Sequence, residues 1–338
     1  MRRSVTGILS LVLWAGAFVA AAASPFTPLA VRFKASTSLT MNLQTAAGSC
    51  PMINSGSTWA ALDLGSNTTS THTATCLTYN GGGSYQLQTN IAWVATCSGT
   101  CATQYNVSAA LKSASQAGLQ WQIAGSNVTT TYSQCGGGCQ HLTYGSTVSV
   151  QFKVQVQTPN APPTIQQEFL IEAVDANTSS ATAVATLNVE FINAPGISIF
   201  FTKDASGVAM TGGAFDAAVT FGTVEAYGSL PAGVSRGAVT TTYTVTTPID
   251  INVEIGGVTS SNYTLQANLA AVAPTGLSYQ VNSTTLSTTA ATVTTTGSYN
   301  TAQAYTLGIV INTAAPGSGG PSINTVLTST IDFTATAN

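Results

Sequence analysis

Apolar and polar residues alternate with a period of two through most of the chain. Leu39, Met41 and Leu43 fall on one side of SLTMNLQ. Val148, Val150, Phe152, Val154 and Val156 do the same in VSVQFKVQV, and Ile249, Ile251, Val253 and Ile255 in IDINVEI. Successive side chains of an extended backbone point to opposite faces, so each stretch predicts an antiparallel strand with one buried face. Turn formers at Asn80 (NGGG), Gly212, Gly256 and Thr158 (TPNAPP) separate such runs. Helical spacing is scarce, and Ala109–Ala117 (AALKSASQA) is the stretch that predicts a helical turn. The expected class is all-β, built from sandwiches.

A break is expected at Asn193-Ala194-Pro195-Gly196, after a strong strand over Thr186–Ile192. Every cysteine, both histidines (His72, His141) and the tryptophans Trp59, Trp93 and Trp121 precede it. The predicted organisation is a signal segment over residues 1–23, a disulfide-containing sandwich over 24–193 and a cysteine-free sandwich over 197–338. Each is long enough for one core. The halves are distantly alike. A strand, a Pro-rich loop and a second strand with Phe169 and Ile171 in the first recur as Tyr305–Ile311, APGSGGP and a long final strand with Ile323, Leu327, Ile331 and Phe333. The first copy carries an extra strand or hairpin, Ala181–Ile192.

Composition narrows the function classes. Only 6% of residues are charged and the formal net charge is −3, far from the roughly 25% charged norm, and a polybasic nucleic-acid surface is excluded. Arg2 and Arg3, an apolar run from Ile8 to Ala22, and Ala21 and Ala23 make an export signal with cleavage expected before Ser24. The apolar run is too short to span a bilayer, so no membrane span is expected after cleavage. The six cysteines, Cys50, Cys76, Cys97, Cys101, Cys135 and Cys139, then read as three disulfides of an oxidising compartment. Cys97/Cys101 and Cys135/Cys139 either close locally or staple the two turns together. With His141 the same four cysteines also spell a zinc set, which export disfavours; no metal and no cofactor are expected.

Catalytic chemistry is weakly supported. Neither histidine sits beside a nucleophile motif. Glu168 and Glu172, four apart on a strand, lie about 13 Å apart at roughly 3.3 Å per residue, too far for a retaining carboxylate pair. Asp175 and Asn177 supply two oxygens where calcium needs six or more. Aromatic rings are the better lead. Trp59 and Trp121 alternate with small or polar neighbours and are binding candidates if they face outward, with Tyr132 and Tyr144; the competing place for either Trp is a sandwich core.

At Phe221-Gly222-Thr223-Val224, then Gly237-AVTTTYTV-Thr246 and Pro248-IDINVEI-Gly256, the second half resembles bacterial pilin-like domains of the spore coat protein U and chaperone–usher type. The first half echoes the pattern at Leu62-Asp63-Leu64-Gly65, THTATC and Ser84-YQLQT-Asn90. The resemblance implies tandem immunoglobulin-like sandwiches, a Cys50–Cys76 disulfide, and assembly by β-strand addition. Its implied partners are other copies or related surface subunits, a periplasmic chaperone and an outer-membrane usher. Leu29, Val31 and Phe33 alternate in SPFTPLAVRFK and form a candidate donor strand, against an ordinary first strand of the first sandwich. The expected function is that of an exported cell-surface filament subunit or adhesin. A secreted carbohydrate-binding module, with a glycan partner, is the alternative, and a hydrolase the least favoured.

Overall fold

A computed structural model describes residues 37–338 apart from 69–70, 73–77, 81–83, 158–159, 179–180, 194, 204–209, 212, 225–228, 238–241 and 314–325. The signal segment, the candidate donor strand Leu29, Val31, Phe33, and Cys76 lie outside the described residues. No helix among the described residues is long and apolar enough to cross a membrane.

The alternation produces strands throughout. Those of five or more residues are β1 Ser38–Gln44, β2 Trp59–Thr68, β3 Ser84–Ser98, β4 Gln104–Leu111, β5 Leu119–Ile123, β6 Val148–Gln157, β7 Thr164–Asp175 and β8 Thr182–Ile192. They continue with β9 Gly196–Lys203, β10 Thr242–Gly256, β11 Tyr263–Leu269, β12 Leu277–Val281, β13 Ala291–Gly297, β14 Gln303–Asn312 and β15 Ile331–Ala337. The helical turn expected over Ala109–Ala117 is not formed. Tyr105, Val107, Ala109 and Leu111 are all buried on one face of β4, so the period-two run that starts upstream overrides the local helical spacing. The final strand is shorter than expected: Leu327 lies ahead of it outside any strand, and Ile323 outside the described residues.

In the first sandwich one sheet has the order β1-β3-β6-β5 and the other β4-β7-β8-β2, with short strands of two or three residues added to them. All these pairs are antiparallel except β8 with β2, which is parallel. Trp121 sits at the centre of the core, edge-on to Phe169 with ring centroids 5.2 Å apart and 6.0 Å from Phe152; such aromatic pairs contribute about 0.5–1.5 kcal/mol each beyond simple burial.

In the second sandwich the sheets run β9-β10-β14-β12 and β13-β11-β15. Register shows it to be a copy of the first. Tyr105, Val107, Ala109 and Leu111 of β4 stand opposite Asp175, Ala173, Ile171 and Phe169. Tyr263, Leu265, Ala267 and Leu269 of β11 stand opposite Ala337, Ala335, Phe333 and Ile331. Gly118-Leu-Gln-Trp-Gln-Ile123 and Gly276-Leu-Ser-Tyr-Gln-Val281 likewise place Trp121 against Val154 and Tyr279 against Ile309.

The two bodies meet through a third, small core. Trp59, Ala61, Phe200, Met210 and Ala214 are buried together, and Thr164 and Gln166 of β7 hydrogen-bond to Ile197, Ser198 and Ile199 of β9. Lys112 reaches Glu168 at 3.0 Å and, across the junction, Asp216 at 3.1 Å. A Cβ on Gly256 would come within 2.8 Å of both Ile192 and Ser66, so β10 meets the ends of β8 and β2 where only glycine fits.

Candidate functional site

The equivalence of the two sandwiches exposes one difference. In the first, β8 lies beside β7 and buries Ala185, Leu187, Val189 and Phe191 completely, and with them the facing Leu39, Met41, Leu43, Phe169, Ile171 and Ala173. In the second, β15 pairs with β11 on one side, and among the described residues no strand pairs with its other edge. The positions equivalent to those six, Ile197, Ile199, Phe201, Ile331, Phe333 and Ala335, are only half-buried. Phe201 and Phe333 stack edge to face at 5.8 Å across this region. An apolar strip along a strand edge that no described strand covers is the kind of surface to which a further strand can add.

The aromatic candidates fall in different places. Trp121 is 1% exposed in the core and Trp59 4% exposed at the junction, so neither ring faces outward. Trp121 alternates with polar Gln120 and Gln122 because those glutamines are the outward residues of β5, and Trp59 is covered by Phe200, Met210 and Ala214 of the second body. Tyr132 is exposed. Tyr144 is half-buried, stacks on Tyr105 at 4.9 Å and donates its hydroxyl to Asp175 at 3.0 Å.

Asp175 is a structural hub. Its carboxylate also accepts hydrogen bonds from the backbone of Ala102, Asn177 and Thr178 and from the Thr178 hydroxyl, at 2.7–3.0 Å. Burial alone would raise its pKa, yet these donors hold it well below the ordinary carboxylate range. With its lone pairs so engaged it anchors the ends of β4 and β7.

The two C-x3-C pairs close locally, Cys97 to Cys101 and Cys135 to Cys139, which leaves no thiolate among them for zinc. Cys50 is buried and disulfide-bonded; Cys76, the partner the resemblance implies for it, is not among the described residues. His141 is exposed, and its backbone N–H donates to Asn106. Glu168 faces Lys112 rather than a second acid.

A further cluster went unread in the sequence. Asp63, Glu190 and Glu254 bring carboxylate oxygens within 4.8 Å of one another at the junction of the bodies. Burial pushes all three pKa values up, and the neighbouring carboxylates push Glu190 and Glu254 further.

No protein-family model matches the chain, and no curated protein matches it. Among solved structures, the N-terminal domain of PorA is similar at 10% identity with a TM-score of 0.26, over 46% of this chain and 97% of that one. The CupB6 tip adhesin from Pseudomonas aeruginosa is similar at 9% identity and a TM-score of 0.25, over 89% and 94%. The secreted serine protease VesC from Vibrio cholerae is similar at 12% identity and a TM-score of 0.22, over 82% and 49%. Likenesses at this level establish no relationship, and the functional reading rests on the chain itself.

Proposed function

We propose that the chain is an exported surface protein of two tandem sandwich domains, 24–193 and 197–338, that assembles by β-strand addition as a filament-like or adhesive subunit. The carrying observation is the half-buried strip along β15, set against the same strip sealed by β8 in the first sandwich. The sequence supplies a matching occupant. Leu187-Asn-Val189-Glu-Phe191, which seals the first sandwich, has the pattern Leu-x-Val-x-Phe; Leu29-Ala-Val31-Arg-Phe33 has the same pattern. On this reading residues 29–33 of a neighbouring copy, or of a related subunit, lie along β15. Main-chain hydrogen bonds would supply affinity, and alternate side chains the register. A chaperone and an outer-membrane usher are the partners that would guard such a strip before assembly. Local disulfides support export through an oxidising compartment.

The test is assembly of the chain starting at Ser24. Ladders that resist SDS, lost on deletion of residues 24–34 and on Val31→Asp, are the expected result. Ladders that persist in both variants would refute the reading. Exposure of Tyr132 favours a glycan-binding module as the second reading, for which an unassembled chain retarded on polysaccharide gels, and no longer retarded after Tyr132→Ala, is the sign.

A further inference from the structure

From the carboxylate cluster at the junction, we infer a calcium site that ties the two sandwiches together. Its donors come from three strands: Asp63 on β2, Glu190 on β8 beside it in register, and Glu254 on β10 of the second body. Glu190 is 2% exposed and neither of its carboxylate oxygens has a hydrogen-bond partner. An uncharged side chain adds an independent sign. Asn252 is 7% exposed, two residues from Glu254 on the same face of β10. Its amide nitrogen donates to Glu254 Oε1 at 2.8 Å while its Oδ1 has no partner. A buried carbonyl oxygen without a donor, on a side chain bonded to one of the three acids, is costly in a protein alone and is an oxygen that a cation can use.

Distance and chemistry select the ion. For three oxygens no more than 4.8 Å apart, some point lies within about 2.8 Å of each, which admits the 2.3–2.6 Å of calcium–oxygen bonds, and three carboxylates are more than the one or two that magnesium, which keeps most of its waters, ordinarily takes. The donors are all oxygen, with no His or Cys, which disfavours zinc and copper. Asp63 Oδ1 already accepts from Gly65 at 2.6 Å, which leaves Asp63 Oδ2, both Glu190 oxygens and Glu254 Oε2. Calcium takes six to eight ligands, so water completes the shell. Asn252, which hydrogen-bonds to Glu254, also lines a cleft of roughly 620 Å³ between Asn54 and Ser55 of the first body and Thr202 and Asp250 of the second. The inference is independent of strand addition.

The experiment titrates the chain starting at Ser24 with calcium chloride after EGTA treatment, at neutral pH, with magnesium chloride in parallel. One calcium per chain, and a rise in thermal midpoint of about 5 °C that magnesium does not reproduce, are expected. Glu190→Gln with Glu254→Gln, near-isosteric and folded by circular dichroism, should lose calcium affinity at least tenfold. Asp332→Asn, an exposed carboxylate elsewhere, should not. No heat and no midpoint shift with calcium, or unchanged affinity in the double variant, would overturn the site.

Discussion

On the edge of β7 away from β4 lies β8; on the edge of β15 away from β11, among the described residues, lies no strand. The strands facing these edges are equivalent in register, and their apolar residues are of similar size. Yet Phe169 and Ile171 are fully buried and Ile331 and Phe333 are not. Among the described residues the difference follows the presence of a neighbouring strand and not the strand itself. The first sandwich carries its own seal; in the second, among the described residues, the corresponding edge has no partner strand and its rings are half-covered, which is the edge at which the proposed strand addition would occur.

The sharpest way to break this comparison is to remove a ring on each side. Phe191→Ala empties a completely buried site and should destabilise the first sandwich by about 3–5 kcal/mol. Phe333→Ala, half-covered in the unassembled chain, should cost less than about 2 kcal/mol. Hydrogen exchange read separately on peptides from β7 and β15 measures both, and equal losses would mean that the strip along β15 is already sealed.

Supplying the seal from outside comes next in size. A peptide of residues 24–36 added to a chain lacking residues 24–34 should protect β15, by about 2.7 kcal/mol at a hundredfold excess over its dissociation constant, and leave β7 unchanged. The Val31→Asp peptide should do nothing. Protection by both peptides would count against side-chain register.

How much of this was legible in the sequence follows from where each residue's neighbours come from. The strands were readable because Leu39, Met41 and Leu43, or Val150, Phe152 and Val154, carry their period within the segment. The turn over Ala109–Ala117 was misread because Ala109 and Leu111 belong to the run begun at Tyr105. Which of its two possible places Trp59 takes could not be read locally, because Phe200, Met210 and Ala214, which pack with it, lie far along the chain. The mark of Trp121 was present but inverted: polar residues on both sides of a large ring in a strand point the ring inward. The open edge needed pairing, which no single segment specifies. The carboxylate cluster needed three strands; its one local sign was a glutamate inside each of the apolar runs LNVEFI and INVEI.

Asp175 separates the copies electrostatically. Its register equivalent in the second sandwich is Ala337, opposite Tyr263 as Asp175 is opposite Tyr105. Because its pKa is lowered on folding, its stabilisation is complete above the unfolded value near 3.8 and is lost as pH falls through the lower folded value. In acid the first sandwich should therefore lose the protection of β4 and β7 before β11 loses its own, an order that exchange at stepped pH reads directly. Asp175→Asn should cost the first sandwich about 2 kcal/mol at neutral pH and flatten that dependence, with β11 unmoved.

The smallest effect bears on the two tyrosines first considered together as binding candidates. Tyr144 spends its hydroxyl on Asp175 and its ring on Tyr105, so Tyr144→Phe keeps the stacking and loses one hydrogen bond to a charged acceptor. A loss of about 1 kcal/mol in the first sandwich is expected, with no change in any glycan retardation. Tyr132 is exposed, and Tyr132→Ala should leave stability within about 0.5 kcal/mol while changing whatever binding the loop supports. If the effects were reversed, with Tyr144→Phe altering binding and leaving stability intact, the hydroxyl would be serving a ligand, and the first sandwich would hold its recognition surface at the Asp175 hub.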